Sequence, residues 1–292
     1  MAYGGSVSGQ IRNGAGKGRK SMSGGKVFFS VIVVSLNAGK ELKKTIESID
    51  SQTYGNYEVI VKDGGSKDGS LEEVRGYKKV RIVEKKDASI YEGMNQAIEE
   101  ASGEYLIFMN CGDYFYDEKV LARVAGGILQ RPETGRKVPR IFYGDRYCRR
   151  EGAFDPSPVK IDDFQAYRSV PCHQTCFYSA DCFKDGAYDL RYPVRADYEH
   201  FLRCLYKMKA KTVYLPLTVV SYEGGGFSDS KKNLKQAEAE HKEITAKYLG
   251  RKCLLYKTAM ILTLQPLRKK LMGSIRFAKY YAVLKKKLRR KG

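Results

Sequence analysis

Three apolar runs in this chain each give way to polar residues of a kind that can hold a ligand. Val27-Phe28-Phe29-Ser30-Val31-Ile32-Val33-Val34 runs into Ser35-Leu36-Asn37-Ala38-Gly39, residues 57–61 run into Lys62-Asp63-Gly64-Gly65-Ser66, and residues 105–109 run into Asn110-Cys111-Gly112-Asp113. A carboxylate followed by two glycines, as Asp63 is, can pin a polar ring while bare backbone comes close to phosphate groups; the same string is also an ordinary strand-to-helix turn. Asp113 can hold a divalent cation against a diphosphate, because Mg2+ or Mn2+ takes one or two protein carboxylates and fills its other positions with phosphate oxygens and water. Taken alone, it equally forms a turn or caps a helix. Asp197 heads an expected helix, where it can cap free amides or take a proton from a reacting hydroxyl. His173, in Pro171-Cys172-His173-Gln174, can touch a phosphate or the hydroxyl-bearing partner, or be a packed neutral histidine.

These residues meet only if the elements around them bring them together. The run 27–34 is continuous, β-branched and aromatic, which predicts a strand buried on both faces. A helix follows with Leu42, Ile46 and Ile49 on one side, then strands at 57–61 and 80–83. A second helix spans 90–101, ended by Gly103, and a fourth strand spans 105–109. This alternation predicts a largely parallel sheet with right-handed crossovers. Asn37, Asp63 and Asp113 then all follow the C-terminal ends of strands, where open α/β sheets bind their ligands. Beyond residue 118 the pattern is more mixed: helices at 120–129 and 196–207, strands at 140–143 and 212–214, Gly224-Gly225-Gly226, and a charged helix at 231–250.

Charge sets the outer organisation. Of the net +20, five Lys/Arg lie in residues 1–26 and fourteen in residues 251–292, neither stretch having an acid, so only about one unit belongs to residues 27–250. The middle is nearly neutral, which argues against a basic nucleic-acid groove and for tails that meet an anionic surface. Residues 1–26, rich in Gly, Ser and Lys, predict a flexible basic arm, and they lack the Gly-x-x-x-x-Gly-Lys-Ser/Thr of a phosphate loop. Residues 251–292 mix Leu254, Leu255, Ile261 and Leu262 with the basic residues and are broken by Lys257 and Pro266. That predicts a surface-lying helical segment, not a span. Seven cysteines, odd in number and irregularly placed, predict a reduced cytoplasmic setting, and the spacing of Cys172, His173, Cys176 and Cys182 matches no common zinc site.

Taken together, Ser30-Val31-Ile32-Val33-Val34 with Asn37, the segment 58–70, residues 91–95 before Gly103-Glu104-Tyr105, and residues 108–113 resemble family 2 glycosyltransferases of the GT-A fold, over roughly residues 27–226. The look is that of a bacterial branch with colanic-acid-type exopolysaccharide transferases, in which Asp-Gly-Gly-Ser, Asn-x-Gly-Asp, a His-Gln pair and a Gly-Gly-Gly segment follow in order. The resemblance implies an α/β fold: a Rossmann-like, mostly parallel sheet flanked by helices, with a helical basic C-terminal tail. The divisions are a basic arm at 1–26, a GT-A domain at 27–230 (nucleotide half 27–117, acceptor half 118–230) and a tail at 231–292. It implies an inverting transfer from a UDP- or GDP-sugar to an acceptor hydroxyl in exopolysaccharide, capsule or lipopolysaccharide assembly. In that reading Asp197 is the base and Asp113 holds Mg2+ or Mn2+. Asp63 contacts the nucleotide base, with Ser35, Asn37, Gly64, Asp87, Asn95 and Asn110 around the donor. His173, Gln174 and Glu199 face acceptor or phosphate. The implied partners are a nucleotide sugar, a lipid-linked acceptor and an anionic membrane surface met by residues 251–292, with no specific nucleic acid, on the cytoplasmic face of the cell membrane. The chain departs from the family where Asp-x-Asp is reduced to Asn110-Cys111-Gly112-Asp113, and where Ser89 stands in place of a common glycine. A nucleotidyltransferase would need a Gly-rich, basic loop where Ser35-Leu36-Asn37-Ala38-Gly39 stands, and a non-catalytic basic binder would need a basic middle.

Overall fold

The computed structural model describes residues 26–133, 138–224 and 233–262. Its first half runs β1 (Phe29–Ser35), α1 (Lys40–Asp50), β2 (Tyr57–Asp63), β3 (Val80–Glu84), α2 (Ile90–Glu100) and β4 (Tyr105–Asn110). These strands lie in the order β3-β2-β1-β4, all parallel. Alternation along β1 divides its neighbours: Val31 and Val33 pack with Leu42, Ile46 and Ile49 of α1, and Ile32 packs with Met94 and Ala97 of α2. The two crossovers therefore cover opposite faces, and the chain reverses its direction of travel between β1 and β4. A crevice opens at such a reversal, outside the C-terminal ends of the two strands.

The second half runs β5 (Tyr114–Phe115), α3 (Val120–Leu129), β6 (Arg140–Cys148), β7 (Ala153–Asp155), α4 (Asp163–Arg168), β8 (Cys176–Ser179), α5 (Ala196–Tyr206), β9 (Lys211–Tyr222), α6 (Leu234–Leu249) and α7 (Lys252–Leu262). The sheet continues from β4 through β8, β6 and β9 to β5, with β7 on β6. Here only β6 and β9 pair in parallel, so the sheet is parallel in its first half and mixed in its second. β9 is far longer than the short strand expected at 212–214 because it is two ladders joined at an irregularity. The register slips between Tyr143 and Asp145, opposite Leu215-Pro216-Leu217. Pro216 cannot donate to a ladder and is tolerated at a bulge. Gly144 faces it because a Cβ there would lie 2.5 Å from the Leu217 carbonyl oxygen.

The expected arm at 1–26, apart from Lys26, lies outside the described residues, as do Gly225, Gly226 and residues 263–292. Among the described residues, no helix is long and apolar enough to cross a membrane.

Candidate active site

The loops after β1 and β2 are laced together. Asn37, held at a positive φ of 50°, accepts the Lys67 amide at 2.9 Å through its side-chain oxygen, and its own amide donates to Ser66 Oγ at 2.7 Å. The Gly39 amide donates to Asp68 at 2.7 Å. Asp63, fully buried, accepts the amides of Gly65 and Ser66, both at 2.7 Å, and the Ser66 hydroxyl at 2.5 Å. Its carboxylate thus shapes the turn and, being fully buried, would meet a nucleotide base only once part of its cover moved aside. Gly64 is close-packed on Asp87, where a Cβ would lie 3.1 Å from Oδ2. Asp87 in turn accepts from the buried Lys62 ammonium at 2.6 Å, so it joins the β2 end to the loop before α2. Ser89 caps α2, accepting the Glu92 amide at 3.2 Å while the Glu92 carboxylate takes the Ala88 amide at 2.7 Å. This reciprocal pair explains a serine in the place of a glycine.

At the crevice, Asp197 is the second residue of α5, and Arg195 occupies the N-cap with no side-chain bond. Asp197 is therefore not the N-cap, but its Oδ1 still accepts a free first-turn amide, that of Tyr198 at 2.8 Å, together with the Tyr91 hydroxyl at 2.9 Å. Its Oδ2 lies 3.3 Å from His173 Nδ1. Burial pushes the Asp197 carboxyl up, but His173, Tyr91 and the Tyr198 amide outweigh it and hold the group below its ordinary value. The next residue after His173, Gln174, donates its amide to Asp113 Oδ2, and Asp113 Oδ1 accepts the Glu223 amide at 2.8 Å. One short stretch thus touches both carboxylates. Burial holds the Asp113 carboxyl above its ordinary value, against the pull of those two donors, Arg149 and His173.

These residues meet a cavity of about 530 Å³ lined by Tyr91, Asn110, Arg146, His173, Gln174 and Asp197, among others. Two buried polar atoms without partners, Asn110 Oδ1 and His173 Nε2, belong to its wall. Orphaned atoms of this kind call for a ligand or water. Ser35 is buried at the end of β1, beside β4 and Asn110. Two expected site residues are placed otherwise. Asn95 uses its amide on the backbone of Tyr188, at 2.9 and 2.8 Å, and so clips α2 to the segment before α5. Glu199 is buried against α6, bonded to Lys247 at 2.7 Å and Tyr248 at 2.5 Å, and does not line the cavity. Both roles are spent inside the fold. Sequence reasoning missed Tyr91 as a partner of Asp197, reading it only within the segment 91–95 that carries the family resemblance, and missed Arg146 and Arg149, for which local sequence carries no signal.

A divalent cation would be held by Asp113, whose two oxygens already carry donors. Among the described residues no three His, Cys, Asp or Glu side chains form a ready-made metal site. A cation here would share Asp113 with the Gln174 and Glu223 amides or displace one of them, and would draw its other ligands from elsewhere.

The sequence profile of glycosyl transferase family 2 matches residues 30–182. A PGL/p-HBAD biosynthesis glycosyltransferase of Mycobacterium bovis (strain BCG / Pasteur 1173P2) is 33% identical over 210 residues, which cover 70% of this chain and 80% of that protein. Among solved structures, S. aureus TarS is similar with a TM-score of 0.57 at 19% identity, over 77% of this chain and 43% of TarS. This chain therefore spans less than half of that protein. The mannosyltransferase PcManGT from Pyrobaculum calidifontis, solved with GDP-Man and Mn2+, has a TM-score of 0.52 at 14% identity, over 87% of this chain and 83% of its own. The parallel half-sheet, the crevice at its reversal point and this kinship lead to one assignment: the chain is a glycosyltransferase of the GT-A fold and belongs to glycosyl transferase family 2.

Proposed function

We propose that this protein transfers a sugar from a nucleotide diphosphate sugar to an acceptor hydroxyl with inversion, Asp197 acting as base. The observation that carries the reading is the placement of Asp197: a carboxyl on the cavity wall, oriented by His173 and Tyr91. The acceptor oxygen forms its bond to the anomeric carbon as its proton passes to Asp197. The bond from that carbon to the diphosphate oxygen breaks, and the diphosphate leaves with the electron pair. Two of the three histidines are poorly placed as bases, and the third, His173, is engaged by Asp197. His200 is fully buried, stacked on Phe183, with its pKa pushed down to about 3 by burial. His241 lies between Tyr167 and Tyr198, pushed down by burial to about 4.

On the donor side, Ser35, Asn37, Gly64, Asp87 and Asn110 frame the nucleotide sugar, with Asp63 setting the loop, and Asp113 would hold Mg2+ or Mn2+, which would neutralise the charge of the departing diphosphate. His173 and Gln174 line the acceptor side. A structure of TarS 1–349 carries UDP-GlcNAc and PcManGT carries GDP-Man with Mn2+, which supports a UDP- or GDP-sugar. The acceptor, in this reading, is lipid-linked and belongs to exopolysaccharide, capsule or lipopolysaccharide assembly, reached from the cytoplasmic face of the cell membrane.

Thermal unfolding with a panel of nucleotide sugars and Mn2+ tests the donor. The right donor at about a hundred times its Kd should raise the midpoint by roughly 5–10 °C. The anomeric configuration of the product, read by NMR, tests inversion. A panel without any shift removes the donor class, and retained configuration removes the single displacement.

A further inference from the structure

We infer that the acceptor carries a phosphate group, held in the cavity by Arg168 and Arg195 beside Arg146. This rests on the reading of the cavity as the acceptor site. Three arginines line it, Arg146, Arg168 and Arg195, against two acidic residues, Asp155 and Asp197. Both carboxylates are committed. Asp155 Oδ2 takes two bonds from Arg146, at 3.0 and 2.9 Å, and Asp197 is engaged by His173 and Tyr91. Among the described residues no carboxylate pairs with Arg168 or Arg195, so the wall keeps an excess of positive charge.

Local structure explains only part of this. Arg195 donates Nε to the Ala237 carbonyl at 2.9 Å, and its backbone amide is taken by Glu240 at 2.7 Å. The Nε bond fixes one edge of the guanidinium, and among the described residues no bond engages its terminal nitrogens. Arg168 sits in the last turn of α4, where the helix dipole favours a cation, and its guanidinium lies 5.8 Å from the Phe164 ring. A guanidinium presents paired donors that fit phosphate oxygens two at a time, and partial removal from water strengthens that attraction. The donor diphosphate does not account for them. In the reading above it belongs with Asp113, which has its own cation, Arg149, bonded to the Gly112 carbonyl at 2.5 Å; Asp113 does not itself line this cavity, although its neighbours Asn110 and Gln174 do. At about 530 Å³ the cavity is of the size that holds small organic ligands.

The test uses the full-length chain and glycerol 1-phosphate as probe, with glycerol as the neutral control, in a calorimeter. We expect binding of glycerol 1-phosphate only, unchanged when the protein is saturated with UDP and Mn2+, and weakened about tenfold by Arg168→Gln and by Arg195→Gln. Arg168 is exposed, so Arg168→Gln decides the matter if Arg195→Gln unfolds. Competition by UDP would assign the arginines to the donor diphosphate and overturn the proposal, as would equal affinity in both variants or no binding at all. Phosphatidylglycerol vesicles form a second arm. Binding that both substitutions weaken identifies a lipid headgroup as the source of the phosphate; weakening confined to the soluble probe identifies a sugar or polyol phosphate. Neither arm needs turnover, so Asp197→Asn, which removes a negative charge from the wall, should bind the probe at least as tightly as wild type, and loss of the base assignment would leave these outcomes readable.

Discussion

Asp197 is under opposing pressures, and their balance fixes what it can do. Burial alone would favour the neutral acid, whereas His173, Tyr91 and the Tyr198 amide favour the carboxylate and prevail. A carboxylate whose folded pKa is lowered adds stability above its unfolded value of about 3.9, and that contribution is lost as pH falls through the lower folded value. Activity should follow the same sign. The acid limb of kcat/KM should lie below about pH 4, and a limb near pH 6 would point to a histidine instead. Since Arg195 is the N-cap, Asp197→Asn removes basicity without removing a cap. Asn can still accept from Tyr91, so the melting temperature and donor affinity should change little, while kcat falls at least about a hundredfold. Turnover close to wild type would reduce Asp197 to a structural partner of Tyr91 and bring His173 forward. The metal residue gives a different expectation. Asp113 is buried with both oxygens occupied, so calorimetry should show weak Mn2+ binding alone and clear binding once a nucleoside diphosphate adds oxygens. Full activity in excess chelator would shift leaving-group stabilisation to Arg149 or other cations.

Between elements, the ion pair of Lys62 and Asp87 joins β2 to the start of α2 and shows what sequence can and cannot convey. β1 to β4 and the helices α1, α2 and α3 were legible because long apolar runs and 3.6-residue spacing survive without context. β5 has two residues, β7 three and β8 four, and α4 has six; pieces that short hold their shape through neighbours and leave no period to read. A lysine near the end of an apolar strand reads as an exposed edge, yet Lys62 is fully buried, donating to Asp63 O, Lys85 O and Asp87. In the candidate site, the polar residues at strand ends were visible, but their wiring was not. Tyr91 and Asp197 are 106 residues apart, and Asp113 and Gln174 are 61 apart. Asp87→Asn should therefore cost about 3 kcal/mol in urea unfolding, because it leaves a buried ammonium uncompensated. A loss well under 1 kcal/mol would mean that Lys62 is satisfied by its two carbonyls and that the Asp87 carboxylate is free for the donor.

Across the whole molecule, charge and apolar surface converge on one end. α7 packs on α4: Lys252 pairs with Asp163 of α4 at 2.5 Å, and Tyr256 lies against Phe164 and Tyr167 at 5.6 Å. Its Leu254, Leu255, Ile261 and Leu262 remain exposed, the first and last by 74% and 77%. α4, on which α7 rests, also supplies Arg168 and Gln165 to the cavity wall. A bilayer met by α7 would thus lie close to the acceptor side. A buried leucine is worth about 1.5–3 kcal/mol and a well-placed Lys or Arg about 1 kcal/mol at an anionic surface. Only the second contribution is screened, since the Debye length falls from about 10 Å at 0.1 M salt to 3 Å at 1 M. The full chain should float with phosphatidylglycerol vesicles at low salt and be largely released at 1 M salt. It should float poorly with neutral vesicles. Leu254→Ser with Leu255→Ser should weaken flotation at both salt concentrations while leaving nucleotide-sugar binding intact, because those side chains support no core. If that double variant floats as well as wild type, the exposed face of α7 is not a membrane contact, and attraction to the vesicles must come from the basic residues alone.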